Sequence, residues 1–390
     1  MAATYSVIAL LALSLCRILT ATSADTPLAV QFADWILATW PDPTTLTNKG
    51  WEYNNGIILH GIAKVHEKNG DPRYLDYIKR FVDAYLTEEG TVALRPEHNL
   101  DTIQPGVLLL FLYERTGEEK YRRGADYVRA AFDRFPKNSE GGFWHKNRYP
   151  DEMWVDGIYM TAPFLVKYGR LFETRSDCFD IALFQTTLCA RHTQDPATGL
   201  LRHAWDSDRN AAWAEPQTGV SPEVWSRGMG WFAMALVDML EYLPAHHPGR
   251  SGLIEMFRKV AAGVKQTQDP VTGLWYQVMD KGGLADNWHE TSGSGMFVYA
   301  LKVGIDRNYL PGEYQEVVTK AWQGLKSKVT YRPDGSPVIS DAVEGMGVQD
   351  SYDGYINKKR VQNSAHALCA ILMASTAVEM TAPQQQHAKR

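Results

Sequence analysis

Six segments of this chain are apolar on nearly every side when they are wound as helices, and they alternate with more charged helical segments. The six begin near residues 54, 100, 155, 225, 289 and 361, and segments such as DPRYLDYIKRFVDAYL and EEKYRRGADYVRAAFDRF separate them. A helix that is apolar all round is buried, whereas an amphipathic helix covers a core with one face. Six such pairs predict an all-α chain folded as an (α/α)6 barrel of six inner and six outer helices.

An internal repeat supports an architecture built from similar units. HTQDPATGLLRHAWD at 192–206 returns as QTQDPVTGLWYQVMD at 266–280, with a DPxTGL turn between a helix and a short extended piece. Asp-Pro and Thr-Gly are typical turn pairs. Helix-pair repeats build either a closed ring or an open solenoid, and the few units of unequal length favour the ring. Strand signals are limited to TVALRP, GGFWHK, GLLRHAWD and GLWYQVMD.

The two termini differ from the body of the chain. Residues 6–16 form an apolar run of signal-peptide length, and the small residues Thr22 and Ala24 fit the pattern before a cleavage site. We therefore expect a signal peptide at 1–24 and a secreted, extracellular protein, with an uncleaved amphipathic leader as the alternative. A single barrel domain is expected at 25–380, and the polar residues 381–390 are expected to form a disordered tail.

Composition argues against several classes of partner. The net charge is only −5, so a nucleic acid partner, which selects a basic surface, is not expected. No later stretch is predicted to span a membrane, and no residue spacing predicts a metal site or a cofactor. Cys178 and Cys189 lie too far apart on a predicted helix for a disulfide bond. We expect a monomer whose fold rests on its core.

Polar residues open the predicted inner helices. In a closed barrel these openings meet around one mouth, where the helix dipoles turn their positive ends toward a bound anion. The residues are Asn54, Asn55, Asp101, Asp156, Trp225, Arg227, His289 and Glu290. Ordinary helix capping explains Asp101 or Asp156 singly, but it does not explain why Trp, Arg and His gather with them. The 12 Trp and 19 Tyr residues suit a sugar-binding cleft as well as a large helical core.

Four of these stretches resemble glycoside hydrolase family 105, the family of unsaturated rhamnogalacturonyl hydrolases. They are WVDGIYMTAPFLVKYG at 154–169, WSRGMGW at 225–231, GLLRHAWD at 199–206 and ETSGSGMFVYAL at 290–301. The related family 88, of unsaturated glucuronyl hydrolases, shares the Trp-x-Arg-Gly element. The resemblance extends from about residue 30 to about residue 375. It implies an (α/α)6 barrel, in agreement with the helix pairs.

The resemblance implies an unusual hydrolysis. A pectin lyase leaves a C4=C5 double bond in the terminal uronic acid of a rhamnogalacturonan fragment, and enzymes of this family hydrate that bond. The family's catalytic aspartate falls on Asp156 in WVDG, where it would give a proton to C4 and take one from water. The second family aspartate falls on Asp101 in NLDTIQPG. We expect Asp101 to hold the substrate and to raise the pKa of Asp156, because neighbouring carboxylates raise each other's pKa.

The resemblance also implies a set of substrate-binding residues: Tyr53, Asn54, His145, Lys146, His203, Trp225, Arg227 and Trp231. Arg227 would grip the substrate carboxylate with its forked guanidinium, and the two tryptophans would stack on the sugar ring. Other interpretations remain open: a structural ion pair for Arg227, core packing for Trp231 and a solvated side chain for Lys146.

Other functions also remain open at this point. An unsaturated glucuronyl hydrolase of another polysaccharide, an inverting glycosidase with two catalytic carboxyl groups, and a non-catalytic sugar-binding barrel all suit such a fold. The roles of two loops stay open: the loop at 205–224 could select what lies beyond the first sugar, and the late loop at 345–360 could line the mouth. Asp350, Tyr352 and Tyr355 within the late loop receive no role.

Overall fold

The computed structural model describes residues 26–92, 98–172 and 177–380. Within these ranges the chain forms thirteen α-helices. They are α1 Leu28–Thr39, α2 Tyr53–Asn69, α3 Pro72–Tyr85, α4 Gly106–Thr116, α5 Glu119–Ala131, α6 Val155–Leu171, α7 Asp177–Thr193, α8 Ser226–Tyr242, α9 Arg250–Gln266, α10 Thr291–Asp306, α11 Tyr314–Ser327, α12 Tyr352–Ile356 and α13 Ala365–Glu379. The predicted signal peptide and the predicted disordered tail lie outside the described residues.

Six of these helices close into an inner ring. Helices α2, α4, α6, α8, α10 and α13 each pack against the next, and α13 packs back against α2. The outer helices α1, α3, α5, α7, α9 and α11 each cover one inner helix. The predicted (α/α)6 barrel is therefore confirmed, and the open solenoid is excluded because the first and last inner helices are in contact.

Burial follows the sequence pattern of each layer. In the inner helix α6 every residue from 155 to 169 is buried, whereas the outer helix α3 buries only Tyr74, Tyr77, Ile78, Phe81 and Val82. Glycines let the inner helices approach closely, since a Cβ added at Gly295 would stand 2.8 Å from Cβ of Ala370. Because methyl-sized groups cannot fit at such distances, these positions require the smallest residue.

The described β-structure is short and lies in the connections. Six strands pair antiparallel as β1 Glu152–Trp154 with β2 Ala204–Asp206, β3 Val329–Tyr331 with β4 Pro337–Ile339, and β5 Ala342–Val343 with β6 Arg360–Val361. Of the predicted extended pieces, GLLRHAWD contains β2. GGFWHK and GLWYQVMD form only isolated bridges, and most of TVALRP lies outside the described residues.

The second inner helix starts later than predicted. The segment at 100–102 is a 3-10 turn, and α4 begins only at Gly106. The side chain of Asn99 accepts a hydrogen bond from the N–H of Asp101 and so fixes the 3-10 turn. Pro105 then precedes α4, where the missing N–H of proline does no harm. The prediction of a helix from residue 100 was wrong by one and a half turns.

The two repeat turns have the same backbone conformation at their glycine and make the same kind of contact. Gly199 and Gly273 adopt positive φ angles of 74° and 76°. A Cβ on either glycine would collide with a backbone carbonyl of the next outer helix, at Lys259 and Lys320 respectively. Each turn therefore rests directly on the helix that follows, and only glycine allows this contact.

Three cysteines and all thirteen helices of the described ranges bear on disulfide bonding and on membrane insertion. Cys178, Cys189 and Cys369 are buried, and these three described cysteines form no disulfide bond with one another. In the ranges described above, no helix has the length and apolar character that crossing a bilayer requires.

Candidate active site

A cavity of about 270 Å³ lies at the end of the barrel where α2, α6 and α8 begin. Eight of the ten predicted site residues line it: Tyr53, Asp101, His145, Lys146, Asp156, Trp225, Arg227 and Trp231. Two predicted residues do not line it. His203 lies directly behind Asp156, and Asn54 is buried beside the wall.

Asp156 is the second residue of α6, and a strand pair sets its position. The β1–β2 ladder brings Trp154 opposite Ala204, and the N–H of Val155 donates to the carbonyl of His203 at 3.0 Å. Nε2 of His203 then stands 3.2 Å from Oδ2 of Asp156. Asp156 is 8% exposed and His203 is fully buried, so their contact is largely shielded from solvent.

The electrostatic surroundings of Asp156 differ from the expectation. Burial opposes its charge, but His203, His145 and Arg227 outweigh burial, and the pKa of Asp156 is held below its ordinary value. The expected elevation of this pKa by Asp101 was therefore wrong. The physical reason is that the immediate neighbours of Asp156, foremost His203, favour its ionised form more strongly than burial opposes it.

Asp101 forms an ion pair with Lys146 in the cavity wall. Nε2 of His145 lies 3.5 Å from the other carboxylate oxygen of Asp101, and the imidazole stacks on Trp154 with the ring centres 4.2 Å apart. Burial lowers the pKa of His145 to about 4, so this imidazole is neutral at pH 7. Lys146 is therefore a paired residue rather than a solvated one.

Arg227 is buried and holds the late loop in place. Its Nη1 donates to the carbonyl of Val343 at 2.7 Å and to Oγ of Ser292 at 3.3 Å, while Nη2 donates to the carbonyl of Glu344 at 2.7 Å. A carboxylate oxygen of Glu290 lies 4.0 Å away. A structural role for Arg227 is thus present, but within the described ranges its Nε has no hydrogen-bond partner.

The two predicted tryptophans, Trp225 and Trp231, have different surroundings. The Trp225 ring lies under the guanidinium of Arg227 at 4.6 Å and beside the His203 ring at 4.5 Å. Trp231 is only 1% exposed and stacks on Tyr159, with the ring centres 4.8 Å apart. Core packing therefore accounts for most of Trp231, and Trp225 belongs to the wall of the cavity.

The first and last inner helices meet at the cavity through a tyrosine and a histidine. The Tyr53 hydroxyl lies 3.0 Å from Nε2 of His366, and both side chains line the cavity. Sequence reasoning missed His366, although it stands in the first turn of the sixth inner helix. The general rule that inner-helix openings gather at the mouth would have found it.

Trp154 and Tyr149 also line the cavity and were not predicted. Trp154 directly precedes the VDG of the predicted catalytic motif, which is a signal that could have been used. Tyr149 packs on Trp154 with ring centres 4.9 Å apart. Met346 lines the cavity as part of the late loop, which was expected at the mouth as a segment without a single residue being named.

Two residues predicted at the mouth have other partners. His289 contacts Asp269 at 3.3 Å and stacks near Tyr276, away from the cavity lining. Glu290 caps α10 by accepting from the N–H groups of Ser292 and Gly293. His289 was therefore wrongly predicted at the mouth, and the capping interpretation of Glu290 is confirmed.

Known proteins are similar to this chain over half of its length or more. The sequence model of Glycosyl Hydrolase Family 88 matches residues 28–382. The unsaturated rhamnogalacturonyl hydrolase YesR of Bacillus subtilis is 26% identical over 332 residues, which are 83% of this chain and 89% of YesR. Protein Atu3128 of Agrobacterium fabrum is 42% identical over 231 residues, which are 55% of this chain and 96% of that protein.

A solved structure agrees over nearly the whole barrel. The family 105 glycoside hydrolase of C. acetobutylicum superposes with a TM-score of 0.84 at 35% sequence identity. The match covers 90% of this chain and 99% of that protein. The predicted resemblance to family 105, with its relation to family 88, is thereby confirmed.

Proposed function

The chain belongs to Glycosyl Hydrolase Family 88 and is a glycoside hydrolase related to family 105, and from this premise we propose that it releases a terminal 4,5-unsaturated galacturonic or glucuronic acid from rhamnogalacturonan oligosaccharides. The name of its relative YesR supports rhamnose as the neighbouring sugar. The observation that carries the proposal is the place of Asp156, a buried carboxylate that opens on the same cavity as Arg227.

The proposed reaction needs one water and one proton. Asp156 gives its proton to C4, water attacks C5, and Asp156 takes a proton from that water. The hemiketal so formed opens to a ketone at C5 and leaves a hemiacetal at C1 that still carries the oligosaccharide. This hemiacetal then breaks down to an aldehyde at C1 and releases the remaining oligosaccharide as an alcohol. One carboxyl group therefore serves both steps, whereas a conventional glycosidase uses two. Asp101 is engaged by Lys146, which suits it to hold the substrate.

Asp156 must carry a proton when the substrate is bound, although its pKa is low in the unliganded protein. The substrate carboxylate places a second negative charge nearby and occupies Arg227, whose charge favours the ionised form of Asp156. The bound sugar also excludes water from the cavity. These effects all raise the pKa of Asp156 in the complex.

Arg227 retains donors for the substrate carboxylate. A guanidinium has five N–H groups, and three of the five are used within the protein. The N–H of Nε and one N–H of Nη2 remain, and a carboxylate accepts two such hydrogen bonds. Because Arg227 lies over Trp225, a ring held by its carboxylate would rest against the wall that Trp225 forms.

A spectroscopic assay tests the proposal. The C4=C5 double bond absorbs ultraviolet light, so purified protein should bleach the absorbance of an unsaturated galacturonosyl-rhamnose disaccharide. An unsaturated disaccharide with a neighbouring sugar other than rhamnose distinguishes the alternative glucuronyl hydrolase. A conventional inverting enzyme would release reducing sugar from a saturated disaccharide and leave the absorbance unchanged. If all unsaturated uronides keep their absorbance, the proposal fails.

We further propose that the protein is secreted after removal of residues 1–24. The apolar run at 6–16 and the small residues before position 25 support this. Terminal sequencing of the protein recovered from the culture medium should then begin at Asp25. A mature protein that begins at Met1 would contradict the proposal.

A further inference from the structure

Tyr355 is buried at the end of the short helix α12 and reaches the back of the active site. Its hydroxyl lies 2.8 Å from Nδ1 of His203, the ring nitrogen that faces away from Asp156. The same hydroxyl oxygen accepts a hydrogen bond from the N–H of Gln349 at 3.4 Å. The late loop thus makes a direct contact, through Tyr355, with a histidine that touches the proposed catalytic carboxyl.

The hydrogen bonds around Tyr355 determine which nitrogen of His203 carries the hydrogen. A tyrosine hydroxyl has one hydrogen to donate, and Tyr355 is fully buried, so an unmade donation would be costly. Among the described residues, Nδ1 of His203 is its acceptor. Nδ1 must then be unprotonated, and in neutral imidazole the hydrogen must sit on Nε2.

The tautomer of His203 with its hydrogen on Nε2 suits an ionised Asp156. Nε2 of His203 stands 3.2 Å from Oδ2 of Asp156, so a hydrogen on Nε2 lies on the side of the ring that faces the carboxylate, although the angle between the two groups is too bent for a hydrogen bond among the described residues. The opposite tautomer would turn a lone pair toward a negative charge. It would also leave the Tyr355 hydrogen without an acceptor.

We propose that Tyr355 is a positioning residue, which fixes the tautomer and the ring orientation of His203 and acts on Asp156 through it. This inference rests on the proposed function of Asp156. Tyr355 touches neither the substrate nor the reacting atoms, because it does not line the cavity. Its contribution reaches the reaction through one imidazole.

The first test compares two tyrosines of the same helix. Tyr355→Phe removes one hydroxyl and keeps the ring that packs beside Trp225. Tyr352→Phe is the matched control, because its hydroxyl binds Oδ1 of Asp286 at 2.8 Å instead of a histidine. We expect kcat for the unsaturated disaccharide to fall about tenfold in Tyr355→Phe, as for a lost buried hydrogen bond, and to stay unchanged in Tyr352→Phe. Equal kcat values in the two variants would overturn the inference.

A double-mutant cycle separates positioning from a general loss of structure. In a His203→Gln background Tyr355 has no imidazole to orient, so the added Tyr355→Phe should lower kcat no further. Additive losses would mean that Tyr355 supports the loop and does not act through His203, and the inference would fail. The thermal midpoint of each variant checks that it is folded.

A spectroscopic measurement makes the test independent of activity. In protein with ¹⁵N-labelled histidine, the nitrogen signals that vanish in His203→Gln belong to His203. They should show a hydrogen on Nε2 and a bare Nδ1 in the wild type, and a shifted Nδ1 in Tyr355→Phe. A hydrogen on Nδ1 in the wild type would refute the inference. Wild-type protein that shows the expected tautomer but bleaches no unsaturated uronide would refute the proposed function instead.

Discussion

The two ends of the barrel both bury charged residues, and they use them differently. At the mouth, Asp101, Asp156 and Arg227 line a cavity of about 270 Å³, and Nε of Arg227 has no hydrogen-bond partner among the described residues. At the opposite end, where the inner helices finish, Lys64 contacts Glu241 at 3.1 Å and Glu67 at 3.4 Å. The ammonium and the two carboxylates there pair with one another. Buried charge alone therefore does not mark a site, and unused hydrogen-bonding capacity beside open space does.

The space between the charges differs in the same way. At the far end the cavity beside Lys64 and Asp238 is only about 20 Å³, room for about one water molecule. Tyr299 donates to Oδ1 of Asp238 at 2.7 Å, and Lys167 pairs with Glu114 at 2.6 Å. The cations also suit the negative ends of the inner-helix dipoles. We call the charged residues at this end the Lys64 cluster; they are Lys64, Glu67, Lys167, Asp238 and Glu241. We interpret this cluster as a structural plug and the mouth as the reactive end.

The largest expected effect comes from replacing the aspartate at the mouth, with a buried aspartate at the opposite end as the control. Asp156→Asn keeps the shape and removes the acid and base, so kcat should fall about a thousandfold, within the usual range for general acid–base groups. Asp238→Asn is the matched control, since Asp238 is equally buried in the Lys64 cluster. It should keep kcat within about twofold by the same reasoning. Bleaching of the unsaturated disaccharide measures both variants, and similar losses in the two would erase the distinction between the ends.

Lys64→Met should affect stability and leave chemistry alone. Removing the cation strands the largely buried Glu241 carboxylate and leaves Glu67 with Arg115 at 3.6 Å, and breaking such a buried pair costs about 3 kcal/mol. Urea unfolding measures the loss. Lys265→Met is the control: it breaks an exposed pair with Glu313, so its stability should stay close to that of the wild type. A lowered kcat in folded Lys64→Met would show that the plug communicates with the mouth.

Arg227→Lys should act at the mouth through binding. Lysine keeps the charge but lacks the fork, so it cannot serve the carbonyls of Val343 and Glu344 and the substrate carboxylate together. We expect KM to rise about thirtyfold, the loss of one charge-assisted hydrogen bond. Initial rates over a range of disaccharide concentrations measure it. An unchanged KM would mean that Arg227 only anchors the late loop.

The helix layers and part of the candidate site could be predicted from the sequence. The layering of helices follows from local patterns, since an apolar surface on all sides leaves no place for a helix except the interior. The gathering of Tyr53, Asp156 and Arg227 follows from it, because all three stand in the first turn of an inner helix. These predictions needed only periodicity and the closure of the ring.

Pairing between distant segments could not be read in the same way. Arg227 meets the Val343 carbonyl 116 positions along the chain, and Tyr355 meets His203 across 152. No local rule fixes such partners. The direction in which the pKa of Asp156 shifts depends on such distant neighbours. The expectation from two neighbouring carboxylates failed for that reason. The Lys64 cluster went unnoticed because its members are scattered singly through mostly apolar helices.

The dependence of stability on pH should have opposite signs at the two ends. Burial raises the pKa of Asp238 to about 7, whereas the pKa of Asp156 is lowered because its neighbours, foremost His203, outweigh burial. Between about pH 4 and pH 7 the native protein keeps a proton on Asp238 that the unfolded chain releases. This group therefore makes the native state less stable as pH rises, by at most about 1.4 kcal/mol per pH unit.

Comparing each variant with the wild type isolates these terms. Across that interval Asp238→Asn should gain stability relative to the wild type as pH rises, because it lacks the raised pKa. Asp156 contributes stability above the ordinary aspartate pKa of 3.8 and loses it as pH falls further, so the wild type should lose its advantage over Asp156→Asn only in acid. Urea unfolding at several pH values measures both differences. Parallel curves for the two variants would mean that the ends of the barrel do not hold their carboxyl groups in opposite states.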